Sequence, residues 1–186
     1  MKVLGISGSL RRDSYNTRLL RAAAATLPPA VELELYDADD LWQIPPYSED
    51  AEAGGEPGPV TRLKAAIGGA DAVLFSTPEY NGSIPGQLKN ALDCVSRPAA
   101  TSPMRGRPAA VVGASTSLFG AVWAQGELRK VLGALGARVI DRELPVARAA
   151  EAFDADGALN DPEIERALEE IAVELLAEVE PALVAA

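Results

Sequence analysis

The sequence predicts an α/β fold, a parallel sheet of five strands sandwiched between helices on both faces. Three observations carry that expectation. Short apolar runs alternate with amphipathic stretches of helical period, strand then helix, along the whole chain. Two of the runs, Ala72–Phe75 and Ala109–Val112, are continuously apolar, as strands buried on both faces are. Loops of small polar residues follow the first, third and fourth runs. In a parallel sheet all three would lie on the carboxyl edge, where open α/β sheets bind their ligands.

The elements follow in order. Val3–Ile6 is the first strand and stops in Ser7-Gly8-Ser9, after which Leu19, Leu20, Ala23 and Leu27 mark a helix. Val31–Leu35 alternates apolar residues with glutamates, the pattern of an edge strand. Residues 37–59, rich in Asp, Pro and Gly, read as a long loop, a candidate wall of a site or arm between subunits. Trp42 and Tyr47 are expected to pin that loop to the body. A helix through Val60, Leu63 and Ile67 ends at Gly68-Gly69. After the third strand, Asn81-Gly82 marks a bend and Pro85 the start of a helix with inner face Leu88, Ala91, Leu92 and Val95. The fourth strand leads through Gly113–Gly120 to a helix packing by Leu128, Val131, Leu132 and Leu135. Ala137–Ile140 is the fifth strand, 145–160 a connection, and Asp161-Pro162 the N-cap and first turn of the last helix.

Composition bounds the function. The chain has 186 residues, 48% of them hydrophobic, enough for one domain with a real core. Seventeen Lys+Arg against 27 Asp+Glu give a net charge of −10, and only 5% of residues are aromatic, so neither a basic stripe nor a stacking platform for nucleic acid exists. No apolar run approaches the roughly 18 residues of a membrane helix, and the chain opens on a strand rather than a leader pattern. The single cysteine, Cys94, has no internal disulfide partner and reads as packing. These features together predict a cytoplasmic protein. Histidine is absent, which excludes His-containing zinc sites and Ser-His-Asp or Cys-His catalysis. No metal ligand set is expected. An enzyme of this composition would rely on a cofactor for its chemistry.

The first loop suits an anion. A strand, a small-residue loop and a helix N-terminus present free backbone N–H groups and the positive end of the helix dipole. Ser9, Ser14 and Asn16 can add donors, and Arg11 a forked cation, in a chain otherwise rich in acids. A phosphate is the natural guest. The spacing Gly5-x-x-Gly8-Ser9 does not match the dinucleotide fingerprint, and no Walker A sequence follows the strand. The segment Thr77–Asp93, with a rigid proline, a bend at Asn81-Gly82 and then a helix start, suits a flat ring held by main-chain groups. Asp154-x-Asp156-Gly157 lacks the remaining ligands of a calcium loop and reads as a turn.

Taken together, Gly8-Ser9-Leu10-Arg11-x-x-Ser14-x-Asn16 and Pro78-Glu79-Tyr80-Asn81…Pro85-x-x-Leu88-Lys89-Asn90-Ala91-Leu92-Asp93 closely resemble the NADPH-dependent FMN reductase family. That family has a flavodoxin-like fold and includes quinone, chromate and azo-dye reductases. The resemblance runs from Lys2 to about Leu176 and includes Gly113-Ala114-Ser115…Phe119-Gly120…Gln125…Leu128-Arg129. It implies strand order 2-1-3-4-5 and a single FMN-binding domain over residues 1–186. Ser9, Arg11, Ser14 and Asn16 would hold the FMN phosphate. Pro78, Glu79, Tyr80 and Asn81 would line the ring, mostly through their backbone, and Ser115 would close its other side. Trp123 stands where many relatives carry a basic residue. The activity implied is hydride transfer from NADPH, or NADH, through FMN to quinones, free flavin or similar acceptors. Donor and acceptor would share one face in turn, which implies ping-pong kinetics, and the family implies a homodimer or homotetramer. The competing reading is a flavodoxin-like one-electron carrier or flavin-binding module without NADPH activity. Its acidity fits, but such carriers usually have a threonine-rich phosphate loop, where this chain has Arg11.

Overall fold

Side-chain alternation along the central strands builds two cores at once. A computed structural model of the chain describes residues 1–52, 54–154 and 156–179. The domain expected over 1–186 also spans residues 53, 155 and 180–186, which lie outside the described residues. Strands β1 (Lys2–Ser7), β2 (Glu32–Leu35), β3 (Ala72–Thr77), β4 (Pro108–Ala114) and β5 (Arg138–Val139) form a parallel sheet in the order β2-β1-β3-β4-β5. Because successive side chains point to opposite faces, Val73 and Phe75 enter one core while Ala72 and Leu74 enter the other. Helices α1 (Tyr15–Thr26) and α8 (Pro162–Ala177), with the short α7 (Ala149–Ala152), cover the Leu74 face. Helices α4 (Gly58–Gly68), α5 (Gly86–Val95) and α6 (Val122–Ala134) cover the Phe75 face. Phe75, Leu88 and Leu128 are fully buried there, and truncating one such leucine to alanine costs about 2–5 kcal/mol. Among the described residues strand β2 pairs with β1 alone, as its alternating glutamates predict.

The fifth lane of the sheet is broken in two. Arg138 and Val139 pair with Pro108 and Ala109, the chain leaves the sheet, and β6 (Pro145–Val146) returns to pair with Gly113 and Ala114. The sequence predicts a fifth strand running to Ile140 and a connection over 145–160, and the structure instead ends the strand at Val139 and places a sixth at Pro145–Val146. Buried Gln125 explains the detour: its side-chain oxygen accepts the Leu144 N–H at 3.1 Å and its amide donates to the Gly120 carbonyl at 3.0 Å. One residue of α6 thus fixes both the end of the β4 loop and the re-entry of the chain.

The described part of the 37–59 region holds two short helices rather than a plain loop. Asp37 caps a short helix α2 (Ala38–Trp42), and α3 (Glu49–Glu52) follows before α4 begins at Gly58. Helix α5 staples the region down: the Gln87 amide donates to the carbonyls of Leu41 (2.7 Å) and Ile44 (3.0 Å), and Asn90 donates to Pro45 and accepts from the Tyr47 N–H. Tyr47 packs against the core as expected. Trp42 does not, because neighbouring Leu41 takes the buried position and leaves the indole 69% exposed. Burial, reinforced by Asp40, pushes the Tyr36 phenol above its usual range, and that hydroxyl has no hydrogen-bond partner among the described residues.

Candidate functional site at the carboxyl edge of the sheet

The loops after β1, β3 and β4 meet at one edge, and a single side chain joins them. Asn16, in the first turn of α1, is buried. Its oxygen accepts from the Ser76 hydroxyl at 2.9 Å and from the Ala114 N–H at 3.0 Å, while its NH₂ donates to the Ala114 carbonyl at 2.9 Å. The amide is therefore engaged at both ends within the protein. It turns toward the ends of β3 and β4, and it ties the helix that opens the first loop to the strands that open the other two.

The first loop is held open around unmet donors. Gly8 N–H bonds the Ser76 carbonyl at 2.8 Å, and a Cβ on Gly8 would meet Leu88 at 2.9 Å and Pro78 at 3.3 Å, so the backbone here sits tight against the third-strand loop. Ser7 anchors Ser9 by hydrogen bonds to its N–H (3.3 Å) and carbonyl (3.2 Å). Ser14 is the N-cap of α1, accepting the N–H groups of Asn16 (3.1 Å) and Thr17 (3.4 Å). Ser9 is only 5% exposed, yet its hydroxyl has no partner among the described residues. The same holds for the backbone N–H groups from Leu10 to Asp13. The Ser9 hydroxyl and the N–H groups of the exposed stretch Arg11–Asp13 are thus free to meet water or an incoming acceptor. Arg11 is exposed and folds back along the loop, donating to the Asp13 carbonyl at 2.8 Å with its guanidinium 5.5 Å from the Tyr15 ring centre.

The third-strand loop has the geometry that Asn-Gly predicts. Asn81 (φ 54°) and Gly82 (φ 77°) form the centre of a tight turn closed by Tyr80 N–H to Ser83 O at 2.9 Å and the reverse bond at 3.2 Å. Pro78 is buried at the strand end. The Glu79 side chain serves α6: its Oε2 accepts the N–H groups of Trp123 (3.1 Å) and Ala124 (3.2 Å). That helix needs a remote cap because Ala121, at its N-cap position, has no capping side chain. On the fourth-strand side, Ser115 is half-buried, bonded to Ser117 at 3.0 Å and, through its N–H, to Val146 O at 3.0 Å. All nine residues singled out in the sequence therefore lie on this edge. Sequence reasoning missed two roles, Asn16 as the joint and Glu79 as a helix cap.

This donor set fits the phosphate of a flavin mononucleotide. The anion would meet the open N–H groups, the Ser9 hydroxyl and the Arg11 guanidinium beside a helix N-terminus, and the exposed turn at Tyr80–Gly82 leaves room for a flat ring. Residues 1–151 match the family model described as NADPH-dependent FMN reductase. The chain belongs to that family. It is 47% identical over 162 residues to an NAD(P)H-dependent FMN reductase of Pseudomonas aeruginosa, covering 87% of this chain and 85% of that one. A quinone reductase of Pseudomonas putida is 40% identical over 157 residues, covering 84% and 83%. Among solved structures, the flavoenzyme NAD(P)H:(acceptor) oxidoreductase FerB of Paracoccus denitrificans superposes with a TM-score of 0.86 at 35% identity, over 97% of each chain. The fold is flavodoxin-like, as the strand order shows. Among the described residues, no helix is long and apolar enough to cross a membrane.

Proposed function

We propose that this chain is an FMN-dependent NAD(P)H oxidoreductase that carries reducing equivalents from NADPH, or NADH, to quinones, free flavin or similar small acceptors by a ping-pong mechanism. The observation that carries the reading is the cradle after β1, where the Ser9 hydroxyl and successive backbone N–H groups stand without acceptors among the described residues, next to a helix N-terminus. When bound, FMN supplies hydride acceptance and onward transfer, chemistry that no side chain here provides.

The chain's own residues bind and orient. Ser9, Arg11, Ser14 and the loop N–H groups hold the phosphate, and Asn16 acts as a positioning residue that keeps the loop in register with β3 and β4. Pro78, Glu79, Tyr80 and Asn81 line the ring through their backbone while the Glu79 carboxylate stays committed to α6. Ser115 bounds the opposite side. In this reading the whole chain is one FMN-binding domain that acts in the cytoplasm as a homodimer or homotetramer, with the 37–59 segment as the contact arm.

The test is an anaerobic titration of FMN-loaded protein with NADPH and NADH, followed in the visible spectrum. Bleaching to the two-electron-reduced flavin supports the reductase, and retained but unreduced flavin returns the carrier reading. Steady-state initial rates with a quinone as acceptor should give parallel double-reciprocal lines, and intersecting lines would exclude a shared site.

A further inference from the structure

Exposed aromatic surface is concentrated where the site is. Among the described residues, seven large hydrophobic residues stand exposed, and five of them follow carboxyl strand ends: Trp42 after β2, Tyr80 after β3, and Leu118, Phe119 and Trp123 after β4. Phe119 (57% exposed) and Trp123 (53% exposed) form a pair, ring centres 4.8 Å apart and tilted by 58°. The pair is fixed beside the candidate ring site by two attachments. The Trp123 N–H is bound to the Glu79 carboxylate, and Gly120, between the two residues, is locked against Pro145, where a Cβ would lie 2.7 Å from the carbonyl oxygen. An apolar patch held rigidly in water serves a partner more often than the fold.

We propose that Phe119 and Trp123 form a stacking wall that selects neutral, planar acceptors, of the quinone class, over anionic ones. The inference rests on the reductase reading above and adds the residues that choose among its acceptors. Charge decides the class of occupant. From Ser115 to Leu128 there is no lysine or arginine, the one charged side chain is the exposed carboxylate of Glu127 a turn beyond Trp123, and the carboxylate reaching over from β3, that of Glu79, is consumed by backbone N–H groups. Apart from the Trp123 indole N–H the pair offers neither donor nor cation to a phosphate or an oxyanion, and the chain's net charge of −10 repels both. It offers a flat neutral ring two aromatic surfaces in offset or edge-to-face contact.

The test compares the wild type with Phe119→Ala/Trp123→Ala, using 1,4-naphthoquinone and ferricyanide as acceptors at saturating NADPH. The expected result is a roughly tenfold fall in kcat/KM for the quinone, mostly through KM, with ferricyanide unchanged and FMN retained. Trp123→Phe should restore most of the loss. A second readout needs no turnover. Trp42→Phe leaves Trp123 as the single tryptophan of the chain, and naphthoquinone should quench its fluorescence saturably near the wild-type KM. Equal losses for both acceptors, or quenching that never saturates, would overturn the proposal. So would a fall in mass by light scattering in the double variant, which would make the wall a subunit seam. Wild-type protein that NADPH fails to reduce would instead sink the reductase reading, while saturable quenching would still report on the wall.

Discussion

The loop after β1 and the loop after β4 share one edge of the sheet and are built on opposite principles. The first is polar, with Ser9, Ser14 and Asn16 all buried, and its shape comes from hydrogen bonds that hold donors open. The second is exposed and apolar at Leu118, Phe119 and Trp123, and its shape comes from steric locks at Gly120 and from a borrowed carboxylate. The difference teaches where precision is needed. A charged group must be met by donors at fixed positions, because an unmet buried charge is expensive. A neutral ring needs area and flatness, which a rigid pair of side chains supplies without directional bonds.

That contrast can be broken from either side. The largest effect should come from Asn16→Ala, which removes the joint and leaves the Ser76 hydroxyl and both polar groups of Ala114 unmet. Stability should drop by about 3–5 kcal/mol in urea denaturation, and FMN should be lost with it. A loss below about 1 kcal/mol would show that the joint is incidental. On the apolar side, Gly120→Ala drives a Cβ into the Pro145 carbonyl at a backbone φ of 56°, and a cost of about 2–4 kcal/mol is expected by the same measurement. Arg11→Ala sharpens the comparison, since Arg11 is exposed and should matter to binding but not to folding. FMN affinity, measured by fluorescence titration, should weaken by about 1.5–3 kcal/mol with denaturation midpoints unchanged. Unchanged affinity would remove Arg11 from the phosphate site. The smallest effect belongs to Glu79→Gln, which weakens the cap on α6 by about 0.5–1.5 kcal/mol. Amide exchange in the first turn of α6 should rise in that variant while α1 stays protected.

Much of the fold was legible because its cues are local. The alternation of Glu32–Leu35 gave the edge strand, the runs at β3 and β4 gave the buried centre, and Asp161-Pro162 gave the start of α8. Asn81-Gly82 announced a turn that only positive φ permits. Other features resisted. Trp42 looked like a pin and is exposed, since either Leu41 or Trp42 could have taken the buried place and only the packed face chose. The break between β5 and β6 is invisible in the 138–146 stretch, because its cause, Gln125, sits on another helix. Gln87 and Asn90 could have been noticed as amides on an otherwise amphipathic helix, but the carbonyls they serve lie more than forty residues earlier.

The sequence alone determined the alternating α/β plan, the placement of three small-residue loops on one edge, and the need for a cofactor in a chain without histidine. These follow from periodicity, strand direction and composition, which are properties of neighbouring residues. Tertiary structure alone decided what each polar side chain at the edge does. Asn16 has donor and acceptor valences that suit a phosphate equally well, and it spends them on Ala114, 98 residues away. Glu79 could have faced a ring and instead caps a helix 44 residues on. A hydrogen bond is chosen by distance in space, and distance in space exists only once the sheet has assembled.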